Sequence, residues 1–234
     1  VNYLFETLRL LHAESAWDGP MHMAMDEALL ALATSPTLRF FQWNAPQATF
    51  GYFENWDAIR SLCPTEWLLT RRWTGGGLVM HGDDLTFSVI IPAGHPAARM
   101  HGREIYGAIH GALSAALQNQ GIQTYLAGRP DTSTTGLPCF QAPVEYDLIL
   151  QNAEGKSVQK IAGGAMRRTR SGILYQGSVQ FVDFTKRSSI VESLPGFLAR
   201  EPAKHALHSI ELEHAQMLCE TKYATHAWLR GRQA

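Results

Sequence analysis

The residues best suited to do chemistry fall in three short stretches. The first is Arg71-Arg72-Trp73-Thr74-Gly75-Gly76-Gly77, with His81 shortly after it. Consecutive glycines let a ligand approach the backbone closely, and their successive N–H groups can form a concave anion site. Arg71 or Arg72 could grip a carboxylate or phosphate through two parallel hydrogen bonds. Alone, a glycine triplet reads as a flexible hairpin turn flanked by surface arginines. The preceding Arg-Arg-x-Thr and the following His81 favour a binding loop. No Lys-Ser/Thr follows the glycines and the spacing is not GxGxxG, so neither of those nucleotide loops is present. His81 either lines a pocket or caps a turn with Gly82, Asp83 and Asp84.

The second stretch is Lys160-Ile161-Ala162-Gly163-Gly164-Ala165. It sets a lysine among small and apolar residues, whereas most lysines are solvated charges. Such a lysine can polarise a carbonyl or stabilise a developing oxyanion. Arg167, Arg168 and Arg170 follow, either as a solvated hairpin tip or as a docking patch for an acidic partner. The third stretch holds Cys139, between Pro138 and Pro143. A free cysteine is commonly a small buried hydrophobe. This one ends a polar loop and lies one hairpin from Lys160, and a nearby cation favours the thiolate. Cys63 and Cys219 sit in helix-like surroundings and read as inert thiols.

Composition narrows the classes. The 234 residues carry a formal net charge of -1, with 45% hydrophobic and 18% charged residues. A neutral globular chain has no global field to draw it to nucleic acid or to an anionic membrane. Three widely spaced cysteines without a CxxC fit reduced thiols in a cytoplasmic compartment, not a disulfide framework or a structural zinc site. No metal site is expected. No signal peptide is expected either, and no apolar run approaches the roughly 18 residues that span a bilayer.

The elements that must position these residues follow from periodicity and punctuation. Asp18-Gly19-Pro20 is a helix start. Apolar residues from Met21 to Leu32 then recur at helical spacing until Ser35-Pro36. Residues 37–43 and 48–53 read as strands, paired or nearly so. Further strands are expected over 68–73, 85–91, 146–150, 157–162 and 173–184, with a helix over 103–120. Residues 128–138 form a loop, residues 152–156 a hairpin turn, and the chain from about 189 onward is read as helical. Strand and helix do not alternate regularly. The order therefore predicts an α+β fold with a central mixed, largely antiparallel sheet flanked by helices, rather than a doubly wound parallel sheet. No linker divides residues 1–234, so one catalytic domain is expected.

Taken in order, these motifs resemble the lipoate–protein ligase, octanoyltransferase and biotin ligase superfamily. The resemblance rests on His22-Met23-Ala24-Met25-Asp26-Glu27-Ala28-Leu29-Leu30, on Leu38 to Trp43 with Phe50-Gly51-Tyr52-Phe53, on Arg71 to His81, on Lys160 to Ala165, and on Tyr175-Gln176-Gly177-Ser178. It covers about residues 20–185 and leaves a C-terminal tail, about 189–234, without a readable motif. Cys139-Phe140-Gln141-Ala142-Pro143-Val144-Glu145-Tyr146-Asp147-Leu148 is similar to the segment holding the nucleophile in one octanoyltransferase class. The triple glycine is more ligase-like, and Gln176 stands where the family usually has histidine.

The resemblance implies handling of an octanoyl or lipoyl group delivered to a lysine of a lipoyl-domain protein, such as glycine cleavage H protein or a 2-oxoacid dehydrogenase E2. Two routes follow from it. A transferase takes the group from an acyl carrier protein or another lipoyl domain, holds it as a thioester on Cys139, and needs no cofactor. A ligase uses ATP and Mg2+ to form an acyl-adenylate. The expected catalytic pair is Cys139 and Lys160. The expected acyl-binding residues are Arg71, Arg72, Thr74, Gly75, Gly76, Gly77, His81, Gly163, Gly164 and Ala165. A catalytically silent acyl-binding or partner subunit is the reading from another class.

Overall fold

The computed structural model describes residues 3–12, 16–128, 143–151, 158–180 and 184–231. In chain order the elements are β1 (Phe5–His12), α1 (Gly19–Leu32), β2 (Thr37–Phe41), β3 (Gln47–Phe50), α2 (Trp56–Arg60), β4 (Leu68–Arg71), β5 (Val79–His81), β6 (Leu85–Pro92), α3 (Gly102–Gln118), β7 (Tyr125–Leu126) and β8 (Leu148–Gln151). They continue as β9 (Val158–Thr169), β10 (Gly172–Val179), α4 (Phe184–Leu198), β11 (Ala199–Lys204), α5 (Ser209–Leu218) and α6 (His226–Arg230). None of these helices is long and apolar enough to cross a membrane.

Period-two alternation along the central strands sorts side chains onto two faces. Leu85, Phe87, Val89 and Ile91 of β6, with Leu38 and Phe40 of β2 and Ile173, Tyr175 and Val179 of β10, join one apolar cluster. Helices α3 and α4 cover it through Ile105, Ile109, Leu113, Leu117, Ile190 and Leu194. Phe41, Ile90 and Leu174 point the other way, into a second cluster with Met25, Ala28 and Leu29 of α1. The start of α1 is built as its residues dictate. Asp18 caps it by accepting a hydrogen bond from the Met21 N–H at 3.1 Å, and Pro20 occupies the first turn, where a missing N–H costs nothing.

The large sheet has eight strands in the order β11-β1-β2-β6-β10-β9-β8-β7. β1 runs parallel to both β11 and β2, and the remaining neighbours are antiparallel. The mixed, largely antiparallel sheet flanked by helices is thus the observed architecture. A second, three-stranded sheet has the order β4-β3-β5. It packs its own small core of Ala48, Phe50, Ile59, Cys63 and Leu69.

Several element assignments need correction. β2 and β3 are not paired: β2 belongs to the large sheet and β3 to the small one. The turn between them carries the chain from one sheet to the other. β9 does not stop before the glycines but runs through Gly163 and Gly164 to Thr169, because β10 pairs with it along that whole length. β10 ends at Val179, and Phe184 already begins α4. The tail is not wholly helical, since Ala199–Lys204 forms the edge strand beside β1. β1 itself is an element that the sequence reading did not assign.

Candidate functional site

A pocket opens between the two sheets. Its empty space is about 540 Å³, including solvent at the mouth. Met23, Phe41, Trp43 and Val79 give it apolar walls, and Gly163, Gly164, Ala165 and Gly177 give it a side-chain-poor floor. Arg72, Gly76, Gly77, His81, Lys160 and Gln176 are among its polar and loop residues. An apolar cleft with a few convergent polar groups is the usual form of a small-molecule site. The structure therefore gathers most of the sequence-selected residues around one cavity.

Lys160 sits at the β8–β9 pairing, where a register shift lies between Leu148 and Ile149. Its Nζ lies 2.7 Å from Asp147 Oδ2, with Asp147 fully buried. The same oxygen accepts the Val144 N–H at 2.7 Å, and Oδ1 accepts the Tyr106 hydroxyl at 2.5 Å. Tyr106, from α3, also accepts the Gly164 N–H at 3.1 Å and stacks on His110. A Cβ on Gly163 would come within 2.7 Å of Lys160 Nζ and push the ammonium aside. A Cβ on Gly164 would come within 2.2 Å of the Tyr175 hydroxyl.

The glycine loop is held from inside by Arg72. Its guanidinium donates to the carbonyls of Gly75 (3.1 Å) and Gly77 (2.9 Å) and to Thr49 Oγ1 (2.7 Å). Gly76 adopts φ +86°, a left-handed conformation that suits glycine. Thr49 in turn contacts His81 Nε2 at 2.7 Å, and His81 Nδ1 faces Asp84 Oδ2 at 2.8 Å. The carboxylate fixes the tautomer: Nδ1 carries the proton, and Nε2 accepts from the Thr49 hydroxyl. Burial alone would raise the Asp84 pKa. The neighbouring His81, with hydrogen bonds from His81, Ser178 and Thr86, instead brings it down to about 2. Trp43 is fixed by the same cluster, stacking on His81 at 4.1 Å and donating Nε1–H to Thr86. His81 thus both lines the pocket and ties its turn.

A second buried network joins α1 to the pocket. Asp26 Oδ1 accepts from Arg39 and from Ser88, each at 2.8 Å, and Oδ2 accepts from Gln176 Nε2 at 2.7 Å. Gln176 Oε1 accepts the Thr74 hydroxyl at 2.7 Å. Thr74 is therefore buried and bonded to the sheet rather than directed at the cavity. His22 accepts from Arg39 at Nδ1 and faces the Gln42 carbonyl at Nε2. Burial and the Arg39 charge lower its pKa to about 2.

Arg71 does not reach the pocket. Its Nε donates to the Trp228 and Leu229 carbonyls and its Nη1 to those of Tyr52 and Glu54. It clasps α6 onto the small sheet. Arg167 folds over Trp73, and Arg168, though exposed, donates to the Met100 carbonyl at 2.7 Å. Arg170 is exposed in the β9–β10 turn, as the hairpin-tip reading has it. Cys139 lies outside the described residues. The other two cysteines are as expected: Cys63 is buried and Cys219 half-buried, and burial raises both thiol pKa values. Asp147, Tyr106, Asp84 and Asp26 were not selected from the sequence. Asp26, Asp84 and Asp147 lie inside quoted motifs, but only the fold turns them toward Arg39, His81 and Lys160. Among the described residues no group of three or more His, Cys, Asp or Glu could hold a metal ion.

Comparison with known proteins bears on identity. Octanoyltransferase LipM of Oceanobacillus iheyensis is 35% identical over 169 residues, covering 69% of this chain and 60% of its own length. Octanoyltransferase LipM of Staphylococcus aureus is 34% identical over 180 residues, covering 69% and 62%. The chain thus spans roughly three-fifths of the length of these curated relatives. Among solved structures, a lipoate-protein ligase A bound with ATP superposes with a TM-score of 0.71 at 20% identity, covering 97% of this chain and 99% of that one. A bi-partite lipoate protein ligase of Thermoplasma acidophilum, described with its E2 lipoyl domain, gives 0.66 at 20% identity and 99% coverage of both. These structural likenesses show the fold. The model of the lipoyl protein ligase A/B catalytic domain matches residues 18–211, and with that match and these relatives the chain belongs to the lipoyl protein ligase A/B catalytic domain family.

Proposed function

We propose that residues 1–234 act as one catalytic domain that moves an octanoyl group, or the related lipoyl group, to a lysine of a lipoyl-domain protein through a thioester on Cys139. The observation that carries the reading is the anchoring of Lys160. Its Nζ shares Asp147 Oδ2 with the Val144 N–H, at 2.7 Å each. Val144 follows Cys139 by five residues. The relatives named octanoyltransferase LipM support the same reading.

The Cys139 thiolate attacks the thioester carbonyl of an octanoyl carrier protein. The carrier thiolate leaves and takes a proton from solvent. The acyl tail lies along Met23, Phe41, Trp43 and Val79, and Lys160 faces the carbonyl oxygen as it gains negative charge. Arg72, Thr74, Gly75, Gly76, Gly77 and His81 hold the loop that closes the pocket, and Gly163, Gly164 and Ala165 leave room for the acyl chain. Arg71 acts at a distance by clasping α6. The neutral amine of the acceptor lysine, on H protein or an E2 lipoyl domain, then attacks the acyl-enzyme. An amide forms, a proton is released, and the Cys139 thiolate returns. The reaction takes place in the cytoplasm and consumes no ATP.

The test is intact-protein mass spectrometry after incubation with octanoyl carrier protein, without ATP. Wild type gains one octanoyl group, Cys139→Ala gains none, and Lys160→Ala gains it about 10²–10³-fold more slowly, the usual cost of removing an oxyanion partner. Octanoylation of a lipoyl domain that requires ATP and Mg2+ and survives Cys139→Ala would overturn the proposal in favour of an adenylate-forming ligase. Turnover under neither condition would overturn it in favour of an acyl-binding subunit.

A further inference from the structure

Asp147 is surrounded by donors from three separate parts of the chain. Lys160 comes from β9, Val144 from the segment that leads on from Cys139, and Tyr106 from α3. We infer that Asp147, oriented by Tyr106, is a positioning residue that sets the place of the Lys160 ammonium at the pocket. The inference rests on the reading of Lys160 given above.

The geometry requires such a device. A lysine has four rotatable side-chain bonds and a point charge that accepts many directions. Its neighbour on the pocket floor, Gly163, has no side chain to confine it. The carboxylate supplies the confinement. Asp147 is fully buried and cannot swing toward water, and Lys160 is 8% exposed. A buried carboxylate is held only if its lone pairs are satisfied, and here the Tyr106 hydroxyl and the Val144 N–H accompany the ammonium. Tyr106 is fixed in turn. Its ring stacks on His110 at 4.1 Å, and His110 Nε2 meets the Tyr175 hydroxyl at 2.6 Å. The order thus runs from α3 through two aromatic rings and one carboxylate to the lysine. A displacement of about 1 Å at a reacting group can cost about 10²-fold in rate, so small changes in this chain are expected to show in turnover.

The experiment compares wild type with Asp147→Asn, Asp147→Glu and Tyr106→Phe. Turnover is measured with octanoyl carrier protein and a lipoyl domain, with and without ATP. In parallel, pulse labelling with acetic anhydride and peptide mass spectrometry reads the reactivity of Lys160 against Lys186 and Lys204 in the same sample. Asp147→Asn is expected to lower kcat about 10²-fold with KM changed by less than about threefold. It should also raise Lys160 labelling about tenfold while Lys186 and Lys204 stay as they are. Asp147→Glu should recover part of both, and Tyr106→Phe should lie between wild type and Asp147→Asn. Unchanged Lys160 labelling in Asp147→Asn, or equal increases at all three lysines, overturns the inference. A requirement for ATP in wild type would overturn the thioester reading and leave the labelling result to decide this one.

Discussion

Asp26 shows how strongly one side chain can be committed. It takes the full charge of Arg39, the Ser88 hydroxyl and the Gln176 amide inside a fully buried site. Removing one member of a buried ion pair leaves the other uncompensated, at about 3–5 kcal/mol. Asp26→Asn is therefore expected to lower unfolding free energy by about that amount in urea titrations, and adding Arg39→Met should restore most of it. If the single variant loses under ~1 kcal/mol, the pair is not the structural node described here. The sequence showed Asp26 only as a polar residue between apolar helix positions. Its partners lie on β2, β6 and β10, and no local pattern announces a contact that three strands must assemble. Gln176 could be singled out by its departure from the family histidine. Its bonds to Asp26 and to Thr74 became visible only with the strands in register.

The elements were readable where local chemistry decides them. Asp18-Gly19-Pro20 started α1 as read, and the strands expected over 85–91 and 173–184 are present as β6 and β10, the second ending earlier, at Val179. β11 was not readable. Ala199-Arg200-Glu201-Pro202-Ala203-Lys204 has charge, a proline and no alternation, and it becomes a strand only through pairing with β1 at the sheet edge, where proline is tolerated. The glycine loop was legible as a loop, but its support was not. Gly51 abuts it so closely that a Cβ would fall 1.7 Å from the Gly76 carbonyl oxygen. Gly51→Ala must push backbone against backbone. It is expected to cost about 1–3 kcal/mol of stability and to reduce turnover through displacement of Gly75 to Gly77. Thermal unfolding and steady-state kinetics on the one variant check both parts, and unchanged values for both would show that the loop gives way freely.

On the scale of the whole molecule, two buried histidines make stability depend on acidity. Burial and the Arg39 charge bring His22 down to about 2, and burial with the Lys160 charge brings His110 to about 3. Both are near 6.5 when unfolded, so the unfolded chain binds more protons through this range. Their contribution is complete above pH 6.5 and is lost as pH falls toward the folded values. Each histidine contributes a slope of about 1.4 kcal/mol per pH unit once below 6.5. Lowering pH from 7 to 5.5 should thus remove about 2–3 kcal/mol in urea unfolding, and His110→Phe should remove about half of that dependence. Asp84, held at about 2, adds its own loss only below about pH 4. A flat profile between 7 and 5.5 would contradict the neutral burial of both rings.

The parallel pairing of β1 with β11 has a consequence for how the chain comes to fold. Phe5 meets Ala199 and Leu10 meets Lys204 across nearly the whole length of the sequence. Contacts of such separation form late, because the intervening chain must be ordered before they repay their entropy. During synthesis β1 emerges well before β11 and waits with one edge unpaired until β11 leaves the ribosome. That exposed edge can recruit a foreign strand, so the nascent protein is open to aggregation while β1 lacks β11.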